Sequence, residues 1–497
     1  MVATTKGAAL ALVRARWIKA TTVLLLVHLV LAASCTVGPP GNGSETPPGG
    51  SRSPRTLTGT LQGASYIIQV PASWNGVLLL YSHGGGALTS SPPAENTTDP
   101  ATSGYLLQHG YALAGSSFRS SGWFVEDALA DDLALLSEFR RRVGPPARTI
   151  AWGVSLGSMV TLGLAERNPD RIDGALPMCG VVADAVPFWN QNLDAAFGFK
   201  VLFAADDARI QVTGATPSTA AGDDARSLLQ SATATAAGRA RTALVAALRE
   251  IPVSGFLGTA ALGSVASSGQ SLENLRADQV ADLLSDALSN YFLNHPAVEL
   301  RAGGNPSSNL GIDYGQLIAA SPDYRQLKSL YQTAGLSLDD DVARLNSARR
   351  ISADPSAAAY VSRFLTFTGD LRVPVLTLHT LADESTPVQL EDAYLAKVRN
   401  AGRSAWLRQL FIDRGVHCNF TTAEIAVGLD ILRTRIGTGR WDGADDLAAL
   451  NAKTSAFASE YRIPTRVKVV GTPPEGPGSS FVAFQSIGLL REAAGQR

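Results

Sequence analysis

A serine flanked by glycines two residues to either side stands at Gly153-Val154-Ser155-Leu156-Gly157. A short apolar run precedes it and an alanine- and leucine-containing run of helical spacing follows, so Ser155 falls on a strand-to-helix corner. Glycines suit such a corner because a β-carbon there would crowd the adjoining strand and helix. The first N–H groups of the following helix face the place where an oxyanion would form. An ordinary strand–turn–helix corner shows the same local pattern, so the rest of the chain must decide. A serine hydroxyl is a weak nucleophile that needs a base, and the base needs an acid to orient it. Candidates lie far downstream: Asp383 in Thr380-Leu381-Ala382-Asp383-Glu384-Ser385-Thr386, and His417 in Arg414-Gly415-Val416-His417-Cys418-Asn419-Phe420. Upstream, His83-Gly84-Gly85-Gly86 offers bare backbone N–H groups. Read as a phosphate loop, it lacks the Lys-Ser/Thr ending such a loop needs.

The elements that must hold these residues follow from the apolar pattern. Residues 56–61 and 64–70 read as antiparallel strands and 77–81 as a buried third, with the glycine run directly after it. A helix over 104–109, a strand over 111–116 and a helix over 125–143 follow, the last presenting Ala128, Leu129, Leu133, Leu135 and Leu136 on one face. Gly144-Pro145-Pro146 ends that helix, the strand leading to Ser155 begins at Arg148, and 175–178 is a further short strand. From about 182 to 367 the alternation stops and an alanine-rich helical pattern takes over, clearest at 225–251, 275–292, 324–335 and 339–349. Alternation resumes with a strand at 373–379, a helix at 388–399, a strand at 405–412 and a helix at 422–435. The expected organisation is a core of 56–182 and 367–463, a helical insert of 183–366, and a tail of 464–497 with strand-like runs at 467–470 and 481–484.

With 497 residues, 45% hydrophobic and 17% charged, the chain has ample material for a large core, and its net charge of −1 carries no nucleic-acid footprint. Lys6, Arg14, Arg16 and Lys19 precede an apolar run from Thr21 to Ala33, the layout of a secretory signal over residues 1–35. Ala32-Ala33-Ser34-Cys35 resembles a bacterial lipobox, although Ala32 stands where leucine is preferred, so the alternatives are a lipidated Cys35 and plain cleavage before it. Residues 36–55 form a Gly/Pro/Ser-rich tether. Of three cysteines, Cys179 and Cys418 would then remain, either bridged in an oxidising compartment or as two buried thiols.

The glycine loop after a buried strand, the serine corner, the late Asp383 and the final His417 together resemble the α/β-hydrolase superfamily, over about 56–182 and 367–437. That plan orders the triad as serine, acid, histidine. Of six histidines, His28 lies in the leader, His83 in the glycine loop, His109 before the serine, His295 in the insert and His379 in the strand delivering the acid. His417 remains, with a surface-turn histidine as the alternative reading. Asp383 is the first choice of acid and Glu384 and Asp413 its rivals. The resemblance implies an α/β fold with a mostly parallel sheet and an inserted helical cap between the sixth and seventh strands. It also implies an oxyanion hole from the N–H groups of Gly85 and Leu156. Gly174-Ala175-Leu176-Pro177-Met178-Cys179-Gly180 and residues 415–420 further resemble exported bacterial hydrolases of the esterase and prolyl-peptidase kind.

Acyl transfer to water follows as the expected reaction, on an ester, with no cofactor and no metal, since no H-E-x-x-H or C-x-x-C spacing occurs. A peptidase or aminopeptidase acting on short peptides is the alternative, and Asp339-Asp340-Asp341 or Asp206-Asp207 would support it if either bound a substrate amine. A non-catalytic surface-binding lipoprotein is the third reading, and membrane attachment rests on Cys35 alone. Arg119-Ser120-Ser121-Gly122-Trp123 either lines the mouth of the site or is a polar loop with one packed tryptophan.

Overall fold

In a computed structural model, the described residues are 53–85, 93–252, 272–464, 481–484 and 488–495. The leader with Cys35, Gly86 of the glycine loop and the strand-like run at 467–470 therefore lie outside them.

Among the described residues nine strands form one sheet: β1 (Arg55–Leu61), β2 (Ala64–Val70), β3 (Val77–Ser82), β4 (Ala112–Ser116), β5 (Arg148–Val154), β6 (Gly174–Met178), β7 (Val375–Ala382), β8 (Leu407–Gly415) and β9 (Phe481–Val482). Their order is β1-β2-β4-β3-β5-β6-β7-β8-β9. All neighbours from β4 to β8 run parallel, and β1, β2 and β9 are antiparallel additions at the two edges. The central strands read as unbroken apolar runs because helices cover both faces, and every residue of β3 and β6 is buried. On one face lie α2 (Val125–Arg142), α3 (Leu156–Arg167) and α12 (Gln389–Asn400). On the other lie α1 (Pro100–Gln108), α13 (Thr422–Thr438) and α14 (Leu447–Ser455). This is the α/β-hydrolase fold.

Between β6 and β7 the chain leaves the sheet and returns through a two-stranded stem, where Asp184 pairs with Thr366 and the Phe367 N–H donates to the Ala183 carbonyl at 3.2 Å. The insert carries α4 (Ala185–Phe203), α5 (Ala220–Thr233), α6 (Ala236–Leu248), α7 (Leu272–Ala302), α8 (Tyr314–Ala319), α9 (Tyr324–Thr333), α10 (Leu338–Ser347) and α11 (Pro355–Phe364). Its apolar faces join the core on the α2–α3 side of the sheet. The single helix expected over 225–251 is two. Thr235 leaves helical geometry and caps α6, its Oγ1 accepting from the Gly238 N–H at 3.0 Å. Only a glycine fits there, since a β-carbon on Gly238 would lie 1.9 Å from the Ala232 carbonyl oxygen. The helix expected over 275–292 runs on to Ala302 through Pro296, because buried Ala297 and Val298 keep that turn in the core. Short α15 (Leu490–Ala493), near the chain end, docks on the cap: the Arg491 Nε donates to Asp194 of α4 at 2.6 Å. Among the described residues no helix is long and apolar enough to cross a membrane.

Candidate active site

Ser155 sits between β5 and α3 with φ 55° and ψ −122°, a left-handed conformation that costs on the order of 1–3 kcal/mol for a non-glycine residue. The flanking glycines make the corner feasible. A β-carbon on Gly157 would lie 1.9 Å from the Ser82 carbonyl oxygen, and one on Gly153 2.6 Å from the same atom. The corner is thus wedged against the end of β3, which carries the glycine loop.

His417 reaches Ser155 from the loop between β8 and α13, its Nε2 2.8 Å from the Ser155 Oγ. Its Nδ1 faces both oxygens of Asp383 at 2.8 Å. Asp383 follows β7 and is held by the N–H groups of Ser385 (3.0 Å) and Thr386 (2.7 Å), both donating to Oδ1. Burial alone would raise this carboxyl, but His417, His379 and the Thr386 N–H outweigh it and hold Asp383 below the usual carboxylate range. Both rivals for its role are elsewhere: Asp413 is exposed on β8, and Glu384 accepts the His417 backbone N–H at 2.9 Å. Burial, with Asp383 beside it, pushes Glu384 up to about 8, so it is protonated at neutral pH.

The His417 loop is tied down at several points. Arg414 and Glu424 pair across it at 2.9 Å, Thr421 and Glu424 form a capping box that starts α13, and Cys418 is disulfide-bonded to Cys179 at the end of β6. Val416, Cys418 and Cys179 all take positive φ, as Ser155 does. Among the described residues, Cys179, His417 and Cys418 are the one group with metal-ligand atoms close enough for an ion, and the disulfide leaves it no thiolate.

A narrow cavity of about 110 Å³ opens on the serine, lined by Gly84, Gly85, Leu156 and His417 below and by Trp123, Phe188, Asn290 and Asn294 above. The pair expected to bind an oxyanion, Gly85 and Leu156, therefore shares the cavity wall with Ser155. A β-carbon on Gly84 would lie 3.3 Å from the Ser155 Cβ, so the loop crosses close over the serine. Of the run 119–123, Trp123 lines this cavity, whereas Arg119 is drawn into an ion pair with Asp131 and Ser120 into a hydrogen bond with Asp127. A wider vestibule of about 630 Å³ continues outward past Asp223, Arg226, Asp286 and Glu384. Arg226 and Asp286 pair there at 2.8 Å.

The acidic runs of the cap take other work. Asp341 pairs with Arg241 and Arg344, Asp207 pairs with Arg209, and neither run lines the cavity or the vestibule. Sequence reasoning passed over Asn290 and Asn294, whose one-turn spacing on α7 was the available signal. It also passed over Arg249, fully buried on the cap side. Its Nη2 donates to the Ser385 carbonyl at 2.5 Å, and burial lowers it to about 10.

Residues 58–400 match the tannase-like family of unknown function (DUF6351). The chain belongs to that family. It is also 29% identical over 436 residues to an o-phthalyl amidase of Xanthobacter agilis, covering 80% of this chain and 91% of the relative. Among solved structures, it is similar to feruloyl esterase B from Aspergillus oryzae at 14% identity and TM-score 0.39, covering 77% of this chain and 80% of that one. The cell-wall-degrading esterase LipA of Xanthomonas oryzae matches at 12% identity and TM-score 0.33, over 76% and 85% of the two chains. The protein is a hydrolase of the α/β-hydrolase superfamily.

Proposed function

We propose that this protein is an exported serine hydrolase that cleaves an ester through an acyl-enzyme. The observation that carries the reading is the unbroken chain of hydrogen bonds from the Ser155 Oγ through His417 to Asp383. Ser155 attacks the carbonyl while the His417 Nε2 takes its proton and returns it to the leaving group. Asp383 keeps Nδ1–H as the donor tautomer and stabilises the imidazolium that forms. The N–H groups of Gly85 and Leu156 receive the oxyanion, and water attacking by the same route in reverse frees the enzyme. Export fits a disulfide beside the catalytic histidine, since such bonds persist in oxidising compartments. The basic, then apolar leader ending at Cys35 supplies the address, with lipidation of Cys35 as the anchor.

Amide cleavage is the second reading, favoured by the curated relative, whose name describes an amidase. The short-peptide variant of it is weakened because neither acidic run of the cap lines the cavity or the vestibule. Purified protein lacking residues 1–35 is to be labelled with a fluorophosphonate, then assayed on p-nitrophenyl esters, aryl amides and aminoacyl anilides beside Ser155→Ala. Labelling at Ser155 with ester turnover is expected. Faster amide turnover would transfer the proposal to an amidase, and a folded but unlabelled protein would return the surface-binding reading.

A further inference from the structure

Beside Asp383 lies a second histidine that the triad does not use. His379 is in β7 and fully buried. Its Nε2 is 2.9 Å from the Thr386 carbonyl oxygen, and because a carbonyl only accepts, Nε2 carries a proton. Its Nδ1 is 3.0 Å from the Glu391 Oε1 on α12. The other oxygen of Glu391 accepts from the Thr377 hydroxyl at 2.6 Å and from the Gln409 Nε2 at 2.7 Å. The orientation of that amide is fixed because the same Nε2 also donates to the Glu391 backbone carbonyl at 2.7 Å. Both ring nitrogens therefore face oxygen acceptors, the Glu391 Oε1 and the Thr386 carbonyl, and a ring that donates to both is an imidazolium. Nε2 also stands 3.7 Å from the Asp383 Oδ2.

We infer that His379 is a positioning residue for the reaction: its charged ring, anchored by Glu391, braces the loop that carries Asp383 and sets the field in which the His417–Asp383 pair takes up a proton. The inference rests on Ser155, His417 and Asp383 acting as proposed above. It acts through two contacts on one loop. The ring bonds the Thr386 carbonyl, while the Thr386 N–H bonds Asp383, so moving His379 moves the carboxylate. The same ring places positive charge next to the carboxylate that must stabilise a second imidazolium. Burial works against that charge, yet Glu391 and Asp383 prevail and hold His379 above the usual histidine range.

Other charges face this group. Glu384 and His417 flank Asp383, and Arg249 of the cap lies over the loop, bonded to the Ser385 carbonyl. Arg249 also feels the Asp383 charge, and its guanidinium bonds the Gln191 side chain and the Ser385 carbonyl. His379, by contrast, belongs to a pair whose positive end points at Asp383 and whose negative end, Glu391, lies farther away. Removing that pair leaves the site less positive and more ready to accept a proton.

The test uses pH profiles of kcat/KM for the wild type, His379→Gln and Glu391→Gln. Glutamine retains a donor toward Thr386 while abolishing the charge. Both variants are expected to move the acid limb up by about half a pH unit, a discounted share of what one adjacent charge does to a carboxyl or imidazole. They are also expected to lower plateau kcat about tenfold, the size of one charge-assisted hydrogen bond, with KM unchanged because neither residue lines the cavity. An acid limb that stays in place in folded variants overturns the inference. A measurement without these substitutions stands beside it: ¹⁵N shifts of the histidine rings in Ser155→Ala at pH 7. Two protonated nitrogens on His379 support the inference, and a neutral ring overturns it. Fluorophosphonate labelling of the wild type separates the two levels. Unlabelled Ser155 removes the triad and with it any role for His379, whereas a labelled enzyme with an unmoved limb removes the positioning role alone.

Discussion

Two adjacent acids meet the same histidine through different atoms, and that difference gives them opposite states. Asp383 takes the ring and is held ionised, while Glu384 takes the backbone N–H and is protonated at neutral pH. Asp383→Asn should cost about 10³- to 10⁴-fold in kcat, because an amide can fix the wrong tautomer of the ring. Glu384→Gln replaces a neutral acid by a neutral amide of the same shape. It should cost no more than about tenfold at pH 7, the worth of one ordinary hydrogen bond. Steady-state kinetics on one ester decide the matter, and equal losses from both substitutions would undo the assignment of roles. The sequence made Asp383 readable because a buried strand ends just before it and only one histidine follows in the right order. Arg249, His379 and Glu391 were not readable as parts of a site. Each looks like an ordinary residue of a helix or strand, and its meaning comes from a partner brought in by the tertiary fold.

At the scale of elements, the β8–α13 loop has to present His417 while holding two residues at positive φ, and strain of that kind persists only where the surroundings enforce it. The bond from Cys418 to Cys179 ties this loop to β6 across 239 residues of sequence. Cys179→Ser with Cys418→Ser should therefore lower stability by about 2–4 kcal/mol in denaturant titrations. It should lower kcat more than KM, since the loop sets the ring proposed as general base, whereas most of the cavity wall comes from other segments. A double variant with wild-type kcat would show the remaining ties, Arg414–Glu424 and the capping box, to be sufficient. The cap has a comparable anchor in α15. Arg491 bonds Asp194 and the carbonyls of Asn190 and Ser308, joining the chain end to α4. Arg491→Ala leaves Asp194 buried without its cation and should cost about 3 kcal/mol, read as a lowered melting midpoint. The strands of the core were legible because burial on both faces gives them continuous apolar runs. The cap was legible only as helical, because its alanine-rich faces suit many packings and its breaks depend on close approaches such as Gly238 against Ala232.

For the whole molecule, buried ionisable groups set how stability changes with pH. Burial raises Asp132 and Glu384 to about 8 and Glu250 and Glu299 to about 7, so the folded chain binds protons that the unfolded chain has released. A carboxyl raised on folding contributes stability that is fully present below its unfolded pKa, about 4, and is lost as pH rises through its folded value. Asp383, shifted down, acts only on the acid side, where its contribution fades as pH falls below the ordinary carboxylate range. His295, lowered to about 3 by burial, opposes the raised carboxyls, since it takes up a proton on unfolding below about pH 6.5. Between roughly pH 5 and 8 these four carboxyls thus act against His295, and His379, raised on folding, acts on the side of the carboxyls above about pH 6.5. The melting midpoint should fall steadily over that range, and a flat or rising midpoint would contradict the assignment of the four carboxyls and His295 as neutral when folded. Asp132 allows the cause to be isolated. Its Oδ2 accepts from the Ser82 hydroxyl at 2.6 Å, under the start of the glycine loop, and its Oδ1 has no hydrogen-bond partner among the described residues. Asp132→Asn keeps the acceptor and removes the proton equilibrium. It should match the wild type near pH 4 and exceed it at pH 8 by a few kcal/mol at most, since each tenfold change in proton affinity on folding is worth about 1.4 kcal/mol. The advantage should grow with pH, because only the wild type must neutralise a carboxylate to fold.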